Sequence, residues 1–167
     1  MKRYPPVTPR TVFRDPVHFL AFGLGSGLIR PAPGTWGTLA AVPLYLLLAP
    51  LPWWGYLAAV LLAMWLGVWL CGESARRLGV HDHPGIVWDE FVGLWITLLA
   101  APAGWPWLVL GFVLFRFFDA VKPWPIRWFD RQVHGGLGIM LDDVVAGLFS
   151  LAGLQLAAWG WARYAAG

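Results

Sequence analysis

Cysteine is nearly missing from this 167-residue chain: Cys71 stands alone, so no internal disulfide can form, and it reads as a small apolar packing residue. Charge is scarce too. Only 13% of the residues are Asp, Glu, Lys or Arg, against roughly 25% in an ordinary soluble domain. No GxSxG elbow, Cys/His pair or Walker loop occurs, which leaves covalent catalysis through Ser or Cys without support. The period-2 alternation of a membrane barrel is absent, and so is any repeat of fixed period or low-complexity segment. A formal charge of +3 and a pI near 9.4 come without the basic helix or aromatic platform that nucleic-acid binding uses. A basic side facing anionic lipid explains the charge better, and no nucleic-acid partner is expected.

What fills the chain is apolar: 59% hydrophobic residues, 13 Trp and a mean hydropathy of +0.62. Stretches of the length a bilayer demands recur along it, which implies an all-α polytopic membrane bundle with about four to five spanning helices. The spans fall at 36–49, 53–71, 86–101, 107–118 and 144–161. Residues 17–29 carry Gly23, Gly25 and Gly27 and are too short to cross, so they read as a re-entrant or interfacial helix. Thr35 follows the helix-breaking Pro31, Pro33 and Gly34 and is placed to cap the next helix, in which Pro43 would make a kink. Residues 1–16, with Lys2, Arg3, Arg10 and Arg14, read as a retained basic cytoplasmic arm; residues 17–167 form one membrane-embedded domain.

If those five stretches all cross, eleven of the twelve Lys and Arg residues and all nine Asp and Glu residues fall on one face or at its edge, Arg163 being the exception. The positive-inside rule makes that face cytoplasmic. A polar site facing the cytoplasm follows from topology alone.

Three acidic elements stand at helix mouths on that face: Asp89 with Glu90, Asp119, and Asp142 with Asp143. Ionised groups at the edge of hydrocarbon cost several kcal/mol unless paired or holding a cation. Oxygen donors without a Cys/His set favour a hard cation such as Mg²⁺. The plainer alternative is that each acid is an ordinary N-terminal helix residue stabilised by the helix dipole or paired with Arg or Lys. Arg116, Lys122 and Arg127 lie near Asp119 and suit a phosphate, as do the backbone amides of the Gly25–Ser26 and Gly34–Thr35 turns. His81 and His134 are the histidines best placed for acid/base work, although loop histidines are more often simply solvated.

These residues sit in four long stretches, GLGSGL…PAPGTWGTL, GVHDHPGIVWDEFVGLWITL, FRFFDAVKPWPIRWFDR and HGGLGIMLDDVVAG, whose order resembles the bacterial phosphatidylglycerophosphatase A family from about residue 18 to 160. The resemblance implies Mg²⁺-dependent hydrolysis of phosphatidylglycerophosphate to phosphatidylglycerol and inorganic phosphate at the inner membrane. By position it implies a metal set of Asp89, Glu90, Asp142 and Asp143, and a catalytic set of Asp119, Lys122, Asp143 and Arg116. Substrate contacts are expected from Gly25, Ser26, Gly34, Thr35 and His134. Two rivals come from other classes. An ion- or proton-coupled transporter would also use membrane acids, though nearer the midplane and with inverted repeats. A CDP-alcohol phosphotransferase would share the carboxylates, but its spaced Asp signature is not found.

Overall fold

Proline sets where several helices begin. A first-turn residue has no intrahelical partner for its N–H, so proline costs nothing there. Helices α1 (Pro9–Arg14), α2 (Pro16–Ala21) and α3 (Pro33–Leu48) start on one, and α4 (Trp53–Leu78) follows Pro52. The remaining helices are α5 (Trp88–Thr97), α6 (Trp105–Val121), α7 (Ile126–Gln132) and α8 (Gly135–Ala165). This computed structural model describes residues 7–165, the side chains of 129–131 excepted, and among the described residues it is all helical. A 3-10 segment, Gly23–Leu28, joins α2 towards α3.

The bundle is organised around α5, which packs on α8, α3, α4 and α6. Trp88, Phe91, Val92, Gly93, Leu94 and Trp95 are all buried, as a helix apolar on every side must be. Its indole N–H groups are satisfied by neighbouring backbones: Trp88 Nε1 donates to Ala63 O at 3.0 Å and Trp95 Nε1 to Ala41 O at 3.1 Å. Tyr56 donates its hydroxyl to Trp95 O at 2.7 Å.

Among the described residues two helices, α4 and α8, are long and apolar enough to cross a membrane, and α3 is a shorter apolar helix. The expected span 86–101 is helical only over the ten residues of α5, about 15 Å, which is half of a hydrocarbon core. It is buried by its neighbours instead of exposed along a full crossing. The helix expected over 144–161 begins at Gly135, so Asp142 and Asp143 lie two turns inside α8 and not at its mouth. Thr35 does not cap α3, because the helix starts at Pro33 with Ala32 before it in the left-handed conformation. Pro43 lies inside α3, as read from the sequence.

Large apolar side chains remain exposed outside the bundle, among them Leu47 on α3, Trp65 and Trp69 on α4, Phe117 on α6 and Leu156 and Trp159 on α8. Apolar side chains exposed in this number are in keeping with a lipid-facing surface.

Of the basic arm, Lys2 and Arg3 lie outside the described residues. Residues 9–14 form α1, whose Val12 is fully buried. Asp15 accepts from Val17 N–H at 2.9 Å and pairs with Arg77 at 2.6 Å, fastening α2 to the end of α4. Burial alone would raise the Asp15 pKa, but the hydrogen bonds from Arg77 and from the Val17 amide, with His18 nearby, bring it below the usual carboxylate value. His18 is buried, bonds Ser74 at 2.9 Å through Nδ1, and is pushed below its ordinary pKa by that burial, only partly offset by Asp15.

Candidate active site

Glycine decides how closely α5 and α8 approach. A Cβ on Gly147 would stand 2.7 Å from Gly93 O, and one on Gly93 would stand 3.0 Å from Asp143 O. Gly93 is one helical turn after Asp89, and Gly147 one turn after Asp143, so each acid shares a helix face with its glycine. The close crossing therefore sets the acids of α5 beside Asp143.

Asp89, Glu90 and Asp143 each offer a carboxylate oxygen, and these atoms lie within 4.8 Å of one another. Around them opens a cavity of about 1020 Å³ at one end of the bundle. The start of α3 lines it with Pro33 and Gly34, the 80–86 connector with His81 and Asp82, and the end of α6 with Arg116 and Asp119. Lys122, His134, Asp142 and Asp143 complete its polar wall.

Each cation is held against an acid. Arg116 Nη1 donates to Asp119 Oδ2 at 2.6 Å and lies 3.8 Å from Glu90 Oε1 and 3.4 Å from Thr38 Oγ1. Lys122, at the left-handed end of α6 with φ 44°, donates to Asp142 Oδ2. Asp119 and Asp143 both line the cavity, and carboxylates gathered there repel one another unless a cation or proton lies among them.

First-turn dipole stabilisation accounts for Asp89 and Glu90 at most, and pairing with a cation accounts for Asp119 and Asp142. Asp119 is in the last turn of α6, where the dipole disfavours an anion, and Asp142 and Asp143 are inside α8. The fit to a hard cation is direct. Among the described residues, buried Asp89 Oδ1, Glu90 Oε2 and Asp143 Oδ2 have no protein hydrogen-bond partner, and the donor set is all oxygen.

The structure brings Asp89, Glu90, Arg116, Asp119, Lys122, Asp142, Asp143, Gly34 and His134 to one cavity. Asp142 Oδ2 accepts from Lys122, while Asp143 is the acid of this pair that joins Asp89 and Glu90 within 4.8 Å. Gly25, Ser26 and Thr35 are not brought to the cavity. Gly25, at φ 92°, abuts Phe13, and the Ser26 hydroxyl donates to Gly23 O at 2.8 Å, so this glycine segment serves packing. Two residues escape the sequence reading. Thr38 touches Arg116 and donates to Gly34 O at 2.8 Å; placing the start of α3 at Pro33 would have put it on the face of Gly34. Asp82, which the sequence did not single out, lines the cavity. His81 and His134, from separate connectors, meet at the rim edge to face with ring centroids 4.8 Å apart.

The sequence model of the family described as Phosphatidylglycerophosphatase A matches residues 19–158. A phosphatidylglycerophosphatase A of Escherichia coli (strain K12) is 53% identical over 153 residues, which are 91% of this chain and 89% of the relative. One from Haemophilus influenzae is 50% identical over 82% of this chain and 85% of its own. A Bacteroides thetaiotaomicron protein provisionally named a phosphatidylinositol-3-phosphatase is 41% identical over 148 residues, covering 90% of its length. No solved structure matches. None of these relatives supports the transporter reading. With the family match spanning the helices that build the cavity, the chain belongs to the phosphatidylglycerophosphatase A family and is a phosphatase.

Proposed function

We propose that this chain removes the terminal phosphate of phosphatidylglycerophosphate, giving phosphatidylglycerol and inorganic phosphate, in a Mg²⁺-dependent reaction at the cytoplasmic face of a bacterial inner membrane. The observation that carries the proposal is the trio of unpartnered carboxylate oxygens on Asp89, Glu90 and Asp143, set beside Arg116 and Lys122 in a single cavity. Relatives at 50% identity or more bear the name of this activity.

Asp89, Glu90 and Asp143 would hold Mg²⁺, which when bound withdraws charge from the phosphoryl oxygens. Arg116 and Lys122 supply donors for the equatorial oxygens of the phosphoryl group during in-line attack. Both start in ion pairs, so Asp119 and Asp142 hold them in place before substrate arrives. Asp119, held beside Arg116 in the same cavity, is placed to accept the proton of an attacking water. Gly34 leaves room for substrate, since a side chain there would meet Glu90 Oε1 and the Arg116 guanidinium. His134 binds substrate oxygens at the rim.

The bilayer reading rests on the two long apolar helices and the exposed apolar side chains. From Val144 to Trp161, α8 runs 18 residues beyond the acids, about 27 Å, close to one hydrocarbon thickness. The cavity then lies at the membrane boundary. A phosphate dianion cannot enter hydrocarbon, so it meets its catalytic groups there.

The test is phosphate release by the purified chain in nonionic micelles containing phosphatidylglycerophosphate, with Mg²⁺ and with chelator. Release with Mg²⁺ that stops on chelation is the expected result; no release under any divalent ion removes the proposal.

A further inference from the structure

A second cavity, of about 410 Å³, is lined by Trp124, Arg127, Trp128 and Gln132. It adjoins the catalytic cavity through the chain itself: Lys122 lines one and Trp124 the other, and Gln132 is bonded to Val133, which lines the first. Segment 122–134, containing α7, thus carries residues that line both cavities. Trp124 is 82% exposed and Trp128 51% exposed. Indoles so exposed at the polar end of an apolar bundle suit the headgroup layer of a bilayer, with ring in the acyl boundary and N–H towards water. The same cavity is lined by Arg127, whose Nη2 donates to Val121 O at a long 3.4 Å.

We propose that this second cavity is the subsite for the phosphodiester of the lipid substrate, with Arg127 as its anion-binding group. The inference rests on the reading of the substrate as phosphatidylglycerophosphate. That lipid carries two phosphates separated by one glycerol, and Arg116 and Lys122 in the catalytic cavity account for the terminal one only. The diester stays in the headgroup layer, attached to the acyl chains, and needs a cation at that depth. A guanidinium offers paired N–H donors matched to two phosphate oxygens, and the Gln132 amide adds another donor. Two subsites carried by one segment read the headgroup at both ends. Arg127 is thereby a specificity residue and makes no contact with the reacting phosphorus.

The test compares wild type, Arg127→Gln and Arg127→Lys, full length, in nonionic micelles containing no other anionic lipid. Arg127 is exposed, so folding is retained in both variants. Arg127→Gln should raise KM for phosphatidylglycerophosphate about tenfold, the order of one lost charge-assisted hydrogen bond, with kcat unchanged. The inhibition constant of phosphatidylglycerol, which has the diester and lacks the monoester, should rise in the same proportion. Arg127→Lys should restore part of both. A fall in kcat at constant KM, a KM rise without a matching rise in the inhibition constant, or an effect seen only when anionic bulk lipid is added would overturn the inference. Failure of wild type to hydrolyse the lipid at all would overturn the functional reading beneath it.

Discussion

Replacing Asp143 with Asn keeps the volume and removes one charge from the oxygen trio. At the outer separation of 4.8 Å, two unit charges interact by about 3.5 kcal/mol at an effective dielectric of about 20. Asp143 faces two such partners, so ionising all three without a cation is costly, and Asn relieves that cost. The substitution should therefore leave the cation-free protein at least as heat-stable as wild type. It should also weaken Mg²⁺ binding by about two orders of magnitude, since a similar interaction with the cation is lost. Two assays check this on detergent-purified protein: thermal unfolding with Mg²⁺ or chelator, and phosphate release against Mg²⁺ concentration. Wild type should unfold at a higher temperature with Mg²⁺, Asp143→Asn should show no such rise, and its activity should be lost at Mg²⁺ levels that saturate wild type. Asp142→Asn is the internal control. Its carboxylate engages Lys122, so it should lower kcat/KM while leaving the half-saturating Mg²⁺ concentration unmoved. An Asp143→Asn enzyme with full activity and unchanged Mg²⁺ half-saturation would refute the metal assignment.

Other consequences follow from close contacts and from burial. Gly34→Ala puts a methyl against Glu90 Oε1 and 3.2 Å from both Arg116 terminal nitrogens; kcat/KM should drop at least tenfold by transition-state arithmetic, with thermal stability little changed, and wild-type kinetics would show the site is roomier than argued. Gly136→Ala drives a methyl into Val68 O where α8 crosses α4. Backbone cannot yield as a flexible side chain can, so a loss of about 1–3 kcal/mol is expected in denaturant unfolding. His18 has its pKa lowered on folding by burial, so the neutral form is the one the fold prefers. Its contribution is whole above the unfolded value of about 6.5 and is lost as pH falls through the lower folded value. Thermal stability should therefore decline as pH is taken below about 6.5, and His18→Gln should flatten that decline; an unchanged slope would dissociate His18 from it.

Hydropathy, proline and the placement of charge were enough to reveal an all-helical, largely apolar chain whose acids collect at one end. Those properties are local or additive along the chain, so they can be read from composition and order. The four motif stretches were likewise sufficient to identify the family. Boundaries were less legible. Apolar run length overstated α5, since a run buried by neighbours and a run crossing a bilayer look alike in sequence, and two of the five expected spans meet the length criterion. The glycines of 23–27 resembled a phosphate turn but pack against Phe13, Val87 and Phe91; glycine permits close approach without stating to what. Asp142 and Asp143 are equivalent in the sequence. Only the crossing of α8 on α5 at Gly147 and Gly93 decides that Asp143 joins Asp89 and Glu90, while Asp142 accepts from Lys122.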